Sequence, residues 1–569
     1  MRVLGLLTVA LALVGCFADA GAGTDPPPNR FNYPVGLAVS PNGNVLYAAN
    51  SNFDLQWNGG TLQSYDLAAI RRDAIQLISD RDGWKRDHQG ILVNPADLDQ
   101  CGATTAPQGA GLTLGQQCAP PVRAEAYFKS AAVIGAFATD LQLSADGTRL
   151  FTPVRGDASL TWADVGGADP FRIDCGAGPD GRCDAAHRAG NNPDEPGNSR
   201  HVTLPGEPFG MAQSEDGGFI ALTHQTDTKT SLLRSGSASA PQGATPIFTR
   251  PSLQFVFDGV NGGGVGLVAV PHDLQAFAGC ELTDPFLAPG SAGFGAVDAA
   301  KCDAVKPRPA FLQTSRAVPK IDLLRVYEDE GYAATPSQPS RPYMQREAEF
   351  DVIANAGNFD SRGIAIDSTP RLKCRAAVRA MQGTLSVADA RERMRACARI
   401  PARVFIANRS PASLLVGEVG VASADGVTFD PDRLTVRTSI PLSFGPSRVY
   451  LAPVVESDGT LGLRVFVVCF DASTIYVIDP NANIVENIIR VDDGPFAMTF
   501  DPFSFEDVAS AKKAPSGYRF GYVAIFRNSH LQMIDLDNSV KVTTGGVTRS
   551  TFENVVYTLG EPIAPKGGL

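Results

Sequence analysis

The chain has 569 residues, about a tenth of them Gly, and a formal net charge of −11. So mild an acidic balance, with no basic stripe to displace counterions from phosphates, sets nucleic acid aside as a partner. An apolar share of 44% is that of an ordinary globular protein, which leaves room for one large ring of repeats or for several domains.

At the N-terminus, Arg2 precedes an apolar run over residues 3–14, too short to cross a bilayer as a helix. The run ends in Leu13-Val14-Gly15-Cys16, which resembles the lipobox of bacterial lipoproteins. That resemblance implies a signal peptide over residues 1–15, cleavage before Cys16 and lipidation, palmitate included, at that residue. Phe17 follows where an Asp would retain the protein at the inner membrane, so the resemblance implies delivery to the outer membrane, with a periplasmic or surface-facing domain. An ordinary secretory signal, cleaved after Ala18 or Ala20, is the alternative. Residues 16–33, with Pro26-Pro27-Pro28, read as the anchor and a stiff tether.

From residue 34 a cadence of short apolar runs begins: 36–39, then 45–50, then 61–66. It recurs over 494–536, as three strands of an antiparallel meander. A repeated sheet-sized unit points to stacked or radial architecture. With a as the innermost strand, the a strands fall at 36–40, 140–144, 210–214, 265–270, 363–367, 447–452 and 496–500. Strands b fall at 44–49, 149–154, 218–223, 310–314, 403–407, 464–469 and 522–526. Strands c include 321–326, 414–418 and 475–479. Strands d include 202–204, 253–258, 349–353, 434–440, 484–491 and 555–559. Gly36, Gly210, Gly266 and Gly363 share one early position in strand a, where close approach to the ring axis leaves no room for a side chain.

Seven such units leave no bare end only if the ring closes. Leu46-Tyr47-Ala48-Ala49-Asn50, Val404-Phe405-Ile406-Ala407-Asn408 and the entry Gly445-Pro446-Ser447-Arg448-Val449 are similar to the repeat of the YVTN/YncE-like seven-bladed β-propellers. The resemblance covers most of 34–562. It implies an all-β, seven-bladed β-propeller, with residues 563–569 as a C-terminal tail. An open sandwich or two separate β domains is the competing architecture. The chain starts on a strand a and finishes on a strand d, so the expected ring shuts by blade packing without strand exchange.

Seven bare blades need about three hundred residues or somewhat more. The surplus lies at 68–129 and 166–200, between strands c and d, and at 272–309 and 368–401, between a and b. Those connections leave a propeller blade on one side, while the b–c and d–a connections leave on the other. The cysteines pair most simply as Cys101 with Cys118, Cys175 with Cys183, Cys280 with Cys302 and Cys374 with Cys397. Connectivity is not fixed by sequence, but each pair sits in its own insertion, and disulfides suit an oxidising compartment. Cys469, within an apolar strand, reads as a buried small side chain. The 368–401 insertion is partly helical: Leu372, Ala376, Val378 and Met381 suit one helix, and Ser386 caps another running to Cys397.

The six histidines form no zinc pattern, and nucleophile-elbow, P-loop and dinucleotide motifs are absent, so neither metal nor cofactor is expected. The glycine run 259–264 reads as a d–a turn. The stretch 174–184 mixes acids and glycines as a calcium loop does, but its spacing fits no EF-hand and a disulfide-closed turn explains it as well. The b–c turns and a-strand entries carry the candidate ligand-facing residues: Asn50, Asp140, Arg155, His224, Arg316, Arg362, Asn408, Arg409, Arg448, Asp471 and Asn528. Convergent Arg and Asn suit an anionic or sugar-like ligand; turn-capping Asn and solvated Arg are the plainer account. The expected function is a non-catalytic, lipid-anchored binding or scaffolding module, with an envelope protein partner on the insertion-bearing face. One branch of the family includes lactonases, so the alternative is a lactonase-like hydrolase with Asp140, His224, Arg448 and Asp471 at the channel mouth.

Overall fold

A strand covered on both faces is apolar at every position, and Val404-Phe405-Ile406-Ala407 is such a run. In the computed structural model Val404 and Ile406 pack against one neighbouring sheet, while Phe405 and Ala407 pack against the other. The same division repeats around seven sheets, each of four antiparallel strands and one with a fifth strand added, with one hydrophobic cluster in each of the seven seams. The fold is an all-β, seven-bladed propeller. The structure describes residues 23–79, 121–178, 181–236, 249–272, 308–333, 335, 340–352, 359–381, 384–422, 429–514, 519–540, 542–544, 547–549 and 551–561. The expected signal segment and Cys16, the expected pairs Cys101/Cys118 and Cys280/Cys302, and the expected tail 563–569 lie outside them.

In chain order the inner strands are Pro34–Val39, Gln142–Leu143, Pro208–Gln213, Gly264–Ala269, Phe359–Asp367, Pro446–Val455 and Pro495–Phe500. Six of them carry a register shift just after entry. There the four expected glycines meet the next blade: a Cβ on Gly210 or Gly266 would lie 1.9 Å from the carbonyl oxygen of Val265 or Arg362. A Cβ on Gly36 would lie 2.5 Å from Leu141, and one on Gly363 would lie 2.6 Å from Arg448. The close approach is therefore to the following inner strand rather than to the axis.

Ring closure is more elaborate than packing alone. The seventh sheet takes its a to d strands from the C-terminal part of the chain, so no strand is exchanged within those four. Pro121–Val122, from the long c–d connection of the first blade, then adds a fifth, parallel strand outside Val555–Leu559. Tyr127 and Tyr557 share a hydroxyl hydrogen bond of 2.7 Å across the same seam. The helix Leu67–Ser79 (α1) starts the connection; its Leu67, Ile70 and Ala74 face this seam's core.

Two other outer edges are covered by connections, which removes pairing surface that an exposed edge strand would offer. Val133, on the first blade's outer strand, exchanges backbone bonds with Gly181 and Cys183. The Cys175–Cys183 disulfide is buried in the seam between the first two blades rather than on a polar face. The second blade's outer strand is Arg188–Ala189, not the expected 202–204. Residues 190–197 instead run along the third blade's edge, where Glu195 accepts from Leu253 N and Gln254 donates to Gly197 O. The outer strand of the fourth blade begins earlier than expected, at Pro342, and ends at Asp351.

The helical insertion matches its expectation. Thr369–Ala380 (α2) and Val387–Ala398 (α3) are joined by the Cys374–Cys397 disulfide, and Ser386 Oγ accepts from Asp389 N at 3.1 Å. Arg379 reaches Glu506 on the short helix Phe505–Ala509 (α4), at 3.3 Å, and Arg71 on α1 reaches Asp501 at 3.1 Å. The first blade's c–d connection and the a–b insertions of the fifth and seventh blades thus share one face. The second blade's c–d insertion departs from that expectation: its residues 181–183 lie against Val133, opposite Thr61 at the mouth end of the first blade.

The expected tether differs. Asn58 bonds the carbonyls of Gly23 and Thr24. Gln63 Nε2 donates to Pro28 O and Arg30 O, each at 2.8 Å, and Asn32 N donates to Asn50. The proline run is laid onto the first blade because side-chain amides there accept and donate to an extended backbone that has no partner of its own.

Candidate functional site at the channel mouth

The mouth is built by the b–c turns and the strand-a entries, on the side away from the helices. Each inner strand contributes one side of a cavity of about 210 Å³ on the axis, lined by Leu37, Asp140, Met211, Leu267, Ile364, Arg448 and Met498, one residue from each blade. Gly at the entry of most blades leaves this lumen to backbone, and the second and sixth blades place charged side chains there instead.

Those two charges meet. Arg448 Nη1 lies 3.2 Å from Asp140 Oδ2, and its Nη2 donates to Thr139 O at 2.9 Å. The second and sixth blades are not neighbours, because the first and seventh stand between them. The pair therefore crosses the lumen as a bar, with the guanidinium resting 5.1 Å above the Phe496 ring of the seventh blade. Burial raises the Asp140 carboxyl, and Arg448 and the Leu141 N–H offset this only in part. Burial works to lower Arg448, but Asp140 and Tyr450 overcome it and the guanidinium is held charged.

Around the rim, Arg and Asp alternate. Arg362 forms two bonds to Asp360, 2.7 and 3.0 Å, and Arg316 approaches the same carboxylate at 3.4 Å. Burial would raise Asp360, but Arg362, Arg316 and Arg409 outweigh it and hold it low. Arg409 pairs with Asp471, which also lies 3.9 Å from Arg527; Arg527 reaches Asp493 at 3.0 Å. Arg155 pairs with Glu207 on the opposite side. The other sector of the rim is aromatic: Tyr33, Phe53, Phe137, Phe470, Phe496 and Phe526 form a continuous set of ring contacts at 5.0–6.2 Å.

The expected residues thus divide. Arg316, Arg362, Arg409 and Asp471 converge on the rim, and Asp140 and Arg448 on the axis. Three others are interior fasteners. Asn50 donates to Thr61 Oγ1 and Gln63 Oε1 at 2.9 and 2.7 Å, while Asn408 donates to Pro411 O at 2.9 Å and accepts from Ser361. Buried amides at the end of strand b tie it to its neighbours, which is the physical role of Asn in this repeat. His224 is buried between Gly206 O, 2.9 Å from Nδ1, and Ser231 Oγ, 2.8 Å from Nε2. Burial lowers its pKa to about 4, so the ring is neutral. Asn528 is half-buried in its turn.

Sequence reasoning missed Asp360, Asp493, Arg527 and Glu207, the counter-charges, and the six aromatics. Phe470 and Phe526 each follow strand b directly, a shared position that was available as a signal. Among the described residues of the 174–184 stretch the acids are engaged locally: Asp174 with Arg172 at 2.9 Å and Asp184 with His187 at 2.7 Å. Cys469 is buried, and burial pushes its thiol up to about 11. Among the described residues no three of His, Cys, Asp and Glu converge as metal ligands would.

No family model matches the chain, and no curated protein does. Solved structures similar to it include a Bacteroides uniformis protein described as a candidate 6-phosphogluconolactonase (12% identity, 83% of this chain and 88% of that one, TM-score 0.40). Others are the periplasmic gluconolactonase of Pseudomonas aeruginosa (13%, 81% and 86%, 0.37) and hydrazine synthase of Kuenenia stuttgartiensis (7%, 91% and 98%, 0.41). At these scores the likeness assigns no activity.

Proposed function

We propose that the protein is a YVTN/YncE-like propeller serving as a non-catalytic binding or scaffolding module of the bacterial outer membrane, anchored through a lipidated Cys16. The observation that carries this reading is the bar across the lumen. A hydrolase needs a carboxylate or imidazole free to take a proton at hydrogen-bond reach of its substrate. Here Asp140 is bound to Arg448, Asp471 to Arg409, and His224 is occupied at both ring nitrogens. The helical and disulfide-clamped face, built from separate insertions, is the surface offered to an envelope protein partner.

A lactonase-like activity remains the second reading, favoured by one feature: Asp140, with its raised carboxyl, borders the axial cavity. The two readings separate in one assay. Purified protein incubated with gluconolactone hydrolyses it no faster than buffer on the binding-module reading, and Asp140→Asn changes nothing. A rate above the spontaneous one that disappears in Asp140→Asn would replace this reading with the hydrolase.

A further inference from the structure

We infer that the mouth-bearing face of the propeller lies against the phospholipid bilayer, and that the insertion-bearing face points away from it. The inference rests on the lipid anchor at Cys16 proposed above and adds an orientation to it. Three observations lead there.

The first is where the anchor segment meets the domain. Gly23 and Thr24 are held by Asn58, at 2.7 and 3.1 Å, in the b–c turn of the first blade. Cys16 stands seven residues before Gly23. A chain of that length spans at most roughly 25 Å even when fully extended. A six-residue strand is itself about 20 Å long, so the opposite face begins about that much farther off, with the helices beyond it. The anchor therefore reaches the bilayer readily from the mouth side and only by wrapping the blade from the other.

The second is the distribution of exposed apolar side chains. Among the described residues the large exposed ones are Phe53, Leu55, Phe359, Met381, Phe444, Ile484 and Ile488. Four lie on the mouth side: Phe53 at 50%, Leu55 at 58% and Phe444 at 81% exposed in b–c or d–a connections, and Phe359 at 50% as the first residue of an inner strand. Phe53 and Leu55 sit in the turn that Asn58 closes, beside the start of the anchor segment. Aromatic and leucine side chains set around a rim, away from the packed core, are what an interfacial surface presents to lipid.

The third is charge. Three carboxylates of the rim are already paired: Asp360 with Arg362, Asp471 with Arg409, Glu207 with Arg155. Asp54, between Phe53 and Leu55, accepts from Gln56 N at 3.2 Å. Paired acids oppose approach to an anionic surface less than free ones do.

The experiment uses acylated full-length protein in vesicles of phosphatidylethanolamine and phosphatidylglycerol. Nitroxide labels are attached one at a time after Phe53→Cys, Phe444→Cys, Met381→Cys or Ile488→Cys. The ratio of collisions with lipid-soluble oxygen to those with a water-soluble nickel chelate should be several-fold higher at 53 and 444 than at 381 and 488. Protein that floats with the vesicles while all four labels report water would overturn the orientation and leave the anchor standing. Lipid contact at 381 instead would reverse it. Dipolar broadening at 444 would show a second copy covering that face, and would also overturn it. Absence of acyl mass on Cys16 would remove the anchor, and this inference with it, through a separate readout.

Discussion

Two sets of Arg–Asp pairs share the channel mouth and differ in almost everything but composition. The Arg448–Asp140 pair crosses the lumen with side chains only 19% and 11% exposed, whereas Arg527 and Asp493 on the rim are 42% and 51% exposed. In water-rich surroundings, Coulomb attraction is screened and the side-chain ordering cost nearly cancels it. In the lumen both ions have lost solvent, and each depends on the other to remain charged. Identical chemistry is therefore a structural bolt in one place and a solvated decoration in the other.

The largest break in this comparison comes from Arg448→Met, which strands Asp140 in the lumen. We expect a loss of about 3–5 kcal/mol, read as a lower urea midpoint with unchanged slope. The inner ring is tested next by Gly266→Ala, where the new Cβ meets the Arg362 carbonyl and costs about 1–3 kcal/mol. The same substitution at Gly206, where no atom lies within 4 Å, should change stability by no more than about 0.5 kcal/mol.

A pH series sharpens the contrast further. His224 titrates at about 4 in the folded protein against 6.5 in the unfolded chain. Below pH 6.5 the unfolded state takes up a proton that the native state refuses, so stability falls as pH drops towards 4 and levels off beyond it. Buried Asp535 and Glu553, raised to about 7, act in the opposite sense, their burden growing as pH rises from about 4 to 7. The effect of His224 is therefore read as the difference between parent and His224→Gln, whose acid-side loss should be smaller by roughly 2–3 kcal/mol over that window. The smallest change belongs to the rim: Arg527→Ala should cost about 0.2–1 kcal/mol, and that cost should vanish at high salt.

Much of the ring was legible in the sequence because strand b is apolar on both faces. Phe466 and Val468 serve one seam while Val465 and Val467 serve the other, and such runs announce themselves. Inner-strand glycines were equally visible, though the contact they make room for is with the next blade. Helix α1 was not found although its signal was present: Leu67, Ile70 and Ala74, with Ala69 and Ile75 packed beside them, recur at helical spacing, but the segment was read only as the start of an insertion. The second blade's outer strand was misplaced because Arg188–Ala189 is two residues long and carries no alternation to read. The candidate site was legible by residue and not by role. Asn50, Asn408 and His224 look like ligand-facing groups in a list of turn residues, yet each is buried and fully bonded. The bar was beyond reach: Thr139 and Arg448 are 309 positions apart, and only the closed ring brings them together.

A double-mutant cycle on Asp140 and Arg448 tests most directly whether the mouth's central charges belong to the architecture. Stability would be measured for the parent, Asp140→Asn, Arg448→Met and the double variant. The account predicts a coupling of about 1–3 kcal/mol, with the double variant more stable than Arg448→Met alone. Independent, additive effects would contradict it and return Asp140 to the pool of free carboxylates that could act on a ligand.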